Sequence, residues 1–589
     1  MPESPGNTDA ATVRSDTRRW IPWVIVPLIF IIYALHPTKK YYFDGVVFAA
    51  NIEHGNIAGL FNPHHLLYTW IFYIIHNLMV AALGFDVQAV DVMLWSNVIL
   101  GAIGVGLFWT LLSRMIEDDG LALLMTLLAA FSFTWWHYST DADVYILTTV
   151  LLLLAAIRLE WIIRHRAPRN GDFVYIGLLH AASVLTHQLN IFWIVCVAGC
   201  LIWGVVPGTR SDRLRWWWIY FLSMGIPVAA CYFGIGIVLL GHATPGTFWY
   251  WITEYGHIER YWVFEPRKVI GENFNGYLKA FFHRDWLTEE ILRYDLKSAW
   301  AEGRFYKGFP KVVGGHFALS FLLFCYMVAV YNMRLFAREF HKRALFAYFW
   351  LLPYVLFSLF FMPGNYYYKV FIYVPILSMF AWFALADTSR EKRWLKLLLF
   401  LPVVAWSVYD EPSLGITLVL LIAAFEIFRR WKSPIFRWCM LALIVFVGLY
   451  NYVEGIRPES TLARNPEVVQ AMSLQDEFLP GDVLIFQGGD DFPDGWIIMA
   501  LTSAKTLTLE ELYKMPQEER REEFNKVFES GGRIFVHPNI TERTVELGKA
   551  ARELGRTEEE LLRMLLEYRW VDGFTKSGRR YIELLQKGS

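Results

Sequence analysis

The stretch Tyr41–Tyr68, YYFDGVVFAANIEHGNIAGLFNPHHLLY, decides how the rest of the chain is read. It follows an apolar run, Trp20–Leu35, and carries Asp44 just past the end of that run. An amphipathic segment comes next (Val46, Val47, Phe48, Ala50, Ile52), then a Gly-flanked turn, then Asn62-Pro63-His64-His65 opening a further apolar segment. An acid at the mouth of a membrane bundle is costly to desolvate, so it is read first as a functional residue.

The 589 residues are 56% hydrophobic and 19% charged, with mean hydropathy +0.34. Soluble domains carry about 25% charged residues. Here the apolar excess comes in repeated blocks close to the ~20 residues that cross a bilayer core. The composition predicts a polytopic α-helical membrane protein. The net charge of -1 says nothing about partners, because the charges are sorted by loop and nearly cancel. No basic domain or stripe is present, so nothing supports a nucleic-acid role. Cys196, Cys200, Cys231, Cys325 and Cys439 all fall inside apolar runs. Neither a disulfide framework nor a thiolate metal site is implied.

Loop charges orient the chain. Arg14, Arg18 and Arg19 precede the first apolar run. Positive residues stay in the cytoplasm, so residues 1–19 are expected to form a cytoplasmic tail, disordered up to Thr17, and Asp44 to lie outside. No small-residue cleavage site follows, so the first run is read as a retained anchor. The basic clusters at Arg164–Arg169, Arg210–Arg215, Arg334–Arg343, Arg390–Arg393 and Arg429–Lys432 are then cytoplasmic. The turns Ser139–Asp143, Thr186–Asn190, Met362–Lys369 and Asp410–Gly415 are external. This parity holds if the apolar segment His65–Phe85 is juxtamembrane, dipping into the outer leaflet without crossing. About thirteen true spans then fill residues 20–453. After the first, they are expected at Val90–Leu112, Leu121–Tyr138, Asp143–Ile163, Phe173–His187, Ile191–Val206, Trp216–Gly241, His316–Met333, Leu345–Phe361, Val370–Ala386, Leu395–Tyr409, Ile416–Phe428 and Phe436–Val453. The outer loops are 36–89 and 242–315. Residues 454–589 turn polar and read as a small α/β domain outside the membrane. Its strands are expected at Val483–Gln487, Arg533–His537 and Tyr581–Leu585, and its helices at Thr541–Leu554 and Thr557–Tyr568.

This topology delivers one set of residues to one face. It contains Asp44, Glu53, His54, His64, His65, Asp141, Asp143, Tyr145, His187, Gln188, Glu254, Tyr255, His257, Arg260, Tyr366, Tyr367, Tyr368 and Lys369. Pocket residues converge from distant parts of a chain in this way.

An acid after the first span, then an amphipathic helix, then a Pro-containing turn into a juxtamembrane helix, resembles the GT-C glycosyltransferases. Within them it is similar to the protein O-mannosyltransferases, the aminoarabinose lipid A transferases, and a family with a D-S-G-E start and an H-P-P-G-Y-P-L turn. The residues that carry the likeness are Asp44-Gly45 and Asn62-Pro63-His64-His65-Leu66-Leu67, with STDADVYIL at Ser139–Leu147 and Thr186-His187-Gln188-Leu189. The likeness is strongest over about the first 200 residues. No second acid follows Asp44, unlike the Asp-Glu mannosyltransferases. A Trp-Trp-Asp sequon-reading motif is absent too, which argues against an oligosaccharyltransferase.

The resemblance implies transfer of a hexose or pentose from a polyprenyl phosphate to an acceptor hydroxyl on a protein, lipid or glycan. Transfer would occur on the extracytoplasmic face of the cell membrane, usually with inversion. Asp44 would be the general base. Lys369 would meet the donor phosphate, with Arg260 second. His64 and His65 would touch the phosphate or orient Asp44, and Tyr367 would line the donor groove. Asp143, Tyr145, His187, Glu254 and His257 would bind the acceptor or line the site. Neither metal nor nucleotide is required; were a divalent cation held, the histidines His54, His64, His65, His187 and His257 would supply it, without tight ligand spacing.

Each residue also has a structural reading. Asp44, Asp141 and Asp143 are favoured helix N-caps. His187 suits a satisfied core histidine, Tyr366–Tyr368 suit an interfacial aromatic belt, and Lys369 suits a snorkelling lysine. Two other functions compete. A lipid or small-solute transporter or flippase would favour inverted repeats and ionisable groups at mid-membrane, whereas the acids here cluster at span ends. A non-catalytic assembly protein would use the outer domain to bind a partner.

Overall fold

A computed structural model describes residues 8–283 (apart from 42, 56, 86, 117, 166 and 167), 341–385, 434–465 and much of 468–585. The spans expected at 316–333, 395–409 and 416–428 lie outside the described residues, as does the helix expected at 541–554.

Helix α1 (Thr8–Ala34) begins well before Trp20, so the stretch before Thr17 is helical from Thr8 rather than disordered. The polar first turns simply continue the apolar helix. Helix α2 (Phe43–Glu53) is the amphipathic segment after Asp44; Val46, Phe48, Ala49, Ala50 and Ile52 are all buried. Helix α3 (Tyr68–Asn77, 10 residues) runs into a 5-residue π-helical segment, Leu78–Ala82. That length falls short of the ~20 residues a crossing requires.

Helices α4 (Ala89–Ile116), α7 (Tyr145–His165), α8 (Asn170–Thr186) and α10 (Arg210–Phe233) pack in succession, α1 lying against α4. Two shorter helices, α11 (Pro245–Ile252) and α12 (Pro266–Phe281), occupy the long loop that follows α10. Helix α13 (His341–Phe360) packs on α9 (Ile194–Ile202) and on α14 (Tyr373–Leu385). Among the described residues, five helices are long and apolar enough to cross a membrane, or six if one bent pair counts as a span.

That bent pair corrects one expectation. Leu121–Tyr138 is not a single span but two helices, α5 (Asp119–Ala130) and α6 (Phe133–Ser139), bent by 60°. Ser132 takes an extended conformation at the break, and its hydroxyl donates to the Ala129 carbonyl at 2.6 Å. The carbonyl freed at Phe131 accepts from Asn451 Nδ2 at 2.9 Å, at the end of α15 (Pro434–Asn451). A broken helix is tolerated at membrane depth when neighbours satisfy the released backbone groups.

Beyond the helices lies a five-stranded sheet in the order β2-β1-β3-β5-β4. Its strands are β1 (Val483–Phe486), β2 (Lys505–Thr508), β3 (Ile534–Val536), β4 (Arg569–Phe574) and β5 (Arg580–Leu585). β1 is parallel to β2 and β3, while β5 is antiparallel to β3 and β4. Asp482 fixes the β1–β3 register: it accepts from Arg533 N at 2.8 Å and from Arg533 Nη2 at 2.6 Å. Alternation along the central strands divides their side chains. Val483, Ile485, Ile534 and Val536 join a core with Leu512 and Phe524, whereas Leu484 and Phe535 join the core of the helical body. Two hydrogen bonds reinforce that second contact. His54 Nε2 donates to the Met499 carbonyl at 2.9 Å, and Gln88 Nε2 to the Leu501 carbonyl at 3.4 Å. The sheet is thus docked on the same loop that begins with Asp44.

Candidate functional site

Asp44 sits in the first turn of α2, half-buried. The next residue explains where it points. A Cβ on Gly45 would lie 2.6 Å from the Ala142 carbonyl oxygen, closer than real contacts allow. Glycine therefore lets the start of α2 press on the loop Asp141–Val144, and Asp44 comes within electrostatic reach of Asp143. The Gly45→Ala variant is expected to push these backbones apart and to lower activity about 100-fold, the scale of an ångström-sized misplacement. Turnover measured beside an unchanged expression level checks this.

The loop is held by neutral hydrogen-bond donors. Asn97, fully buried on α4, donates through Nδ2 to the carbonyls of Asp141 (2.8 Å) and Asp143 (2.6 Å). Tyr68 donates its hydroxyl to the Asp143 carbonyl at 2.8 Å. The Asp143 carboxylate accepts from the amide of Val144, its immediate neighbour, rather than from an amide two or three residues into α7. Burial, then the charges of Asp44 and Asp141, push the Asp143 carboxyl well above the usual range. Asn97→Ala leaves the Asp141 carbonyl without this donor. It is expected to destabilise the protein by about 1–3 kcal/mol, the cost of an unsatisfied buried acceptor, read as a lower thermal midpoint in detergent.

Around the two acids stands a wall of rings. Tyr145 packs against Tyr138 (4.7 Å), Tyr367 (4.8 Å) and His187 (5.4 Å). His187 lies 4.7 Å from His65 and 5.9 Å from Tyr368. His64 stacks on Tyr255 at 3.9 Å and donates from Nδ1 to Gln188 Oε1 at 2.8 Å. Tyr145, Tyr255, Tyr367 and Tyr368 all lie within electrostatic reach of Asp44. The Tyr366–Tyr368 run faces inward onto Tyr138, Tyr145 and His187, not out as a lipid-facing belt. Burial lowers the three histidines: His64 to about 4, His65 to about 3, and His187 well below the ordinary imidazole value.

Lys369 lies on the turn Tyr367–Ile372, ahead of α14, and is only 1% exposed. It does not snorkel. Its Nζ donates to Asn273 Oδ1 at 3.4 Å and sits 4.6 Å from the ring centre of Tyr277, both on α12. Among the described residues no carboxylate pairs with it. Burial pushes the ammonium down to about 7.

Other expected site residues are placed differently. Glu254 and His257 are exposed on the turn Glu254–His257; His257 engages Thr253 Oγ1 (2.9 Å) and stacks on Tyr250. Arg260 lies on the turn Glu259–Tyr261, and its side chain is outside the described residues. Glu53 accepts from the amide of Ala89 at 2.5 Å, capping α4, and His54 is committed to the Met499 carbonyl, ahead of β2. Among the described residues no group of three or more His, Cys, Asp or Glu is arranged to hold a metal.

One cluster was missed from the sequence. His137 Nδ1 and Glu459 Oε2 lie 2.8 Å apart, both buried, and His137 Nε2 lies 3.8 Å from Asp141 Oδ2. The Glu459 carbonyl accepts from Lys39 N at 2.7 Å. This ties the end of the last described apolar helix to the acidic loop. The partners are 322 residues apart, and no local pattern announces such a pair.

An acid-bearing loop after the first apolar helix, a short apolar helix behind it, and a bundle of longer ones belong to a multi-pass membrane protein with a GT-C-like fold. Three solved structures, of two proteins, are similar to it. ArnT, an aminoarabinose lipid A transferase from Cupriavidus metallidurans, bound to undecaprenyl phosphate, superposes with a TM-score of 0.54 at 11% identity, covering 96% of this chain and 97% of that one. The same protein in the apo state gives 0.51 at 14% identity, with 98% of each chain covered. The Archaeoglobus fulgidus oligosaccharyltransferase in the apo form gives 0.49 at 12% identity, over 97% of this chain and 75% of that one. No family model matches the chain, and no curated protein matches it in sequence.

Proposed function

We propose that this protein is an integral-membrane glycosyltransferase that moves a sugar from a polyprenyl-phosphate donor to an acceptor hydroxyl on the extracytoplasmic face, with Asp44 as general base. The observation that carries the reading is the pairing of half-buried Asp44 with buried Asp143 against an aromatic wall. Two carboxyls in unequal environments divide their roles. Asp143, dry and beside two other acids, holds its proton; Asp44 carries the negative charge and takes the acceptor's proton as the glycosidic bond forms. The acceptor oxygen attacks the anomeric carbon, the bond to the phosphate oxygen breaks, and the lipid phosphate leaves with the electron pair. Attack from the face opposite the phosphate inverts the anomeric centre.

Lys369 supports the leaving-group role. An ammonium buried with no carboxylate partner among the described residues is matched by an anionic phosphate. The solved structure of ArnT with undecaprenyl phosphate supports a polyprenyl phosphate as the kind of lipid involved. Basic loops on the opposite side support the extracytoplasmic orientation. The test is reconstitution in vesicles with radiolabelled undecaprenyl-phosphate sugars and added acceptors. Acceptor-dependent release of undecaprenyl phosphate is the expected result. Movement of the lipid across the bilayer without covalent transfer would overturn the reading in favour of a flippase.

A further inference from the structure

We propose that His64, His65 and His187 form a hydroxyl-reading set, which recognises a neutral, hydroxylated sugar ring rather than the phosphate; this rests on the glycosyltransferase reading above. Each histidine is more than nine-tenths buried, and each keeps one ring nitrogen without a hydrogen-bond partner among the described residues: His64 Nε2, His65 Nδ1 and His187 Nε2. A buried polar atom left unsatisfied is rare and costly. Three such atoms in one cluster, with the His65 and His187 rings in contact and His187 against Tyr145, point to a ligand that completes them.

The partners of the other nitrogens fix what two of the orphans offer. His64 donates Nδ1–H to Gln188 Oε1, so its Nε2 is a bare acceptor. His65 Nδ1 is unpartnered as well, among the described residues. His187 Nδ1 accepts from Leu189 N at 3.3 Å, so its Nε2–H is a bare donor. A phosphate presents only acceptors and would face the His64 Nε2 lone pair here. A hydroxyl both donates and accepts, so neighbouring hydroxyls on one ring satisfy both kinds of orphan. Burial keeps all three rings neutral near pH 7, which removes any charge that would draw the phosphate to them. The phosphate is left to Lys369, which has the opposite character: a cation with donors only. Tyr255, stacked on His64, and Tyr145, against His187, offer ring faces for the sugar's C–H groups.

The hydroxyls could belong to the donor sugar or to a glycan acceptor, and the experiment separates these. Full-length protein in vesicles is assayed with undecaprenyl-phosphate mannose or glucose and with their single-deoxy analogues, in wild type, His64→Phe and His187→Phe. Each variant is expected to lose 10- to 100-fold in kcat/KM. One deoxy analogue should lose no further activity in the variant, because the hydroxyl and its reader are removed together. Inhibition by sugar-free undecaprenyl phosphate should not change. A loss confined to the acceptor KM would assign the hydroxyls to the acceptor. Weakened inhibition by bare undecaprenyl phosphate, or equal losses with every analogue in both variants, would overturn the proposal. If wild type turns over no donor, the glycosyltransferase reading fails on its own. The inference is then read from binding: the sugar-bearing lipid must bind more tightly than the bare lipid, and His187→Phe must erase the difference. Equal binding of the two lipids by wild type would overturn it.

Discussion

Asp44→Asn is expected to lower sugar transfer about 1000-fold while leaving the thermal midpoint and donor binding unchanged. General-base catalysis contributes about 10²–10⁴-fold, and the amide is nearly isosteric but cannot accept a proton. Asp44 is half-buried and sits in the first turn of α2, so the change empties no cavity. Asp143→Asn provides the contrast. Burial and the charges of Asp44 and Asp141 push Asp143 towards its protonated form, which an amide resembles. Its variant should retain at least ten times the activity of Asp44→Asn. Equal losses in the two would mean that both carboxylates must ionise. Full activity in Asp44→Asn would remove it as the base.

The second large effect is at Lys369. Replacing it with Met should weaken binding of undecaprenyl phosphate about 100-fold, since a desolvated charge pair lost at one partner costs several kcal/mol. The pH dependence follows from its burial. A free lysine titrates near 10.4, and this one is held down to about 7. In the empty site the ammonium is present below about pH 7 and is lost above it. Affinity for the anionic lipid should therefore fall as pH rises from 6 to 9, and binding near pH 8 should take up a proton. Calorimetry in buffers of different ionisation enthalpy measures that uptake. The stability sign runs the other way. The folded value lies below the unfolded one, so the cost of burying the charge is fully present below about pH 7 and fades as pH rises towards 10. Lys369→Met should lack that slope and melt higher at neutral pH, a gain in stability with a loss of function. Unchanged lipid affinity in this variant would remove Lys369 from the donor site.

Period and length made the helical part of the fold legible. The α2 segment reads from its apolar spacing, and α4, α7, α10 and α13 from apolar blocks bounded by basic residues. Strands β1, β3 and β5 read from short β-branched runs after turn signals. The break between α5 and α6 did not, because Ser132 is unremarkable in an apolar run; it depends on Asn451, which takes the released Phe131 carbonyl. Sidedness brought Asp44, Asp143, Tyr145, His187 and Tyr367 to one place on paper, and they do meet. Distances along the chain cannot say which way a side chain turns. His54 turned to the Met499 carbonyl and His257 onto Tyr250, while the tie between His137 and Glu459 joins segments that share no pattern.

The most direct measurement is a cryo-EM map of the full-length protein in nanodiscs with undecaprenyl-phosphate mannose, using Asp44→Asn to hold the donor intact. The account predicts the phosphate within hydrogen-bond reach of Lys369 Nζ and the sugar ring between the substituted side chain at the start of α2 and the three histidines, with the prenyl chain leaving sideways into the outer leaflet. A phosphate bound on the face of the basic loops, or a sugar whose anomeric carbon lies far from that substituted side chain, would contradict it.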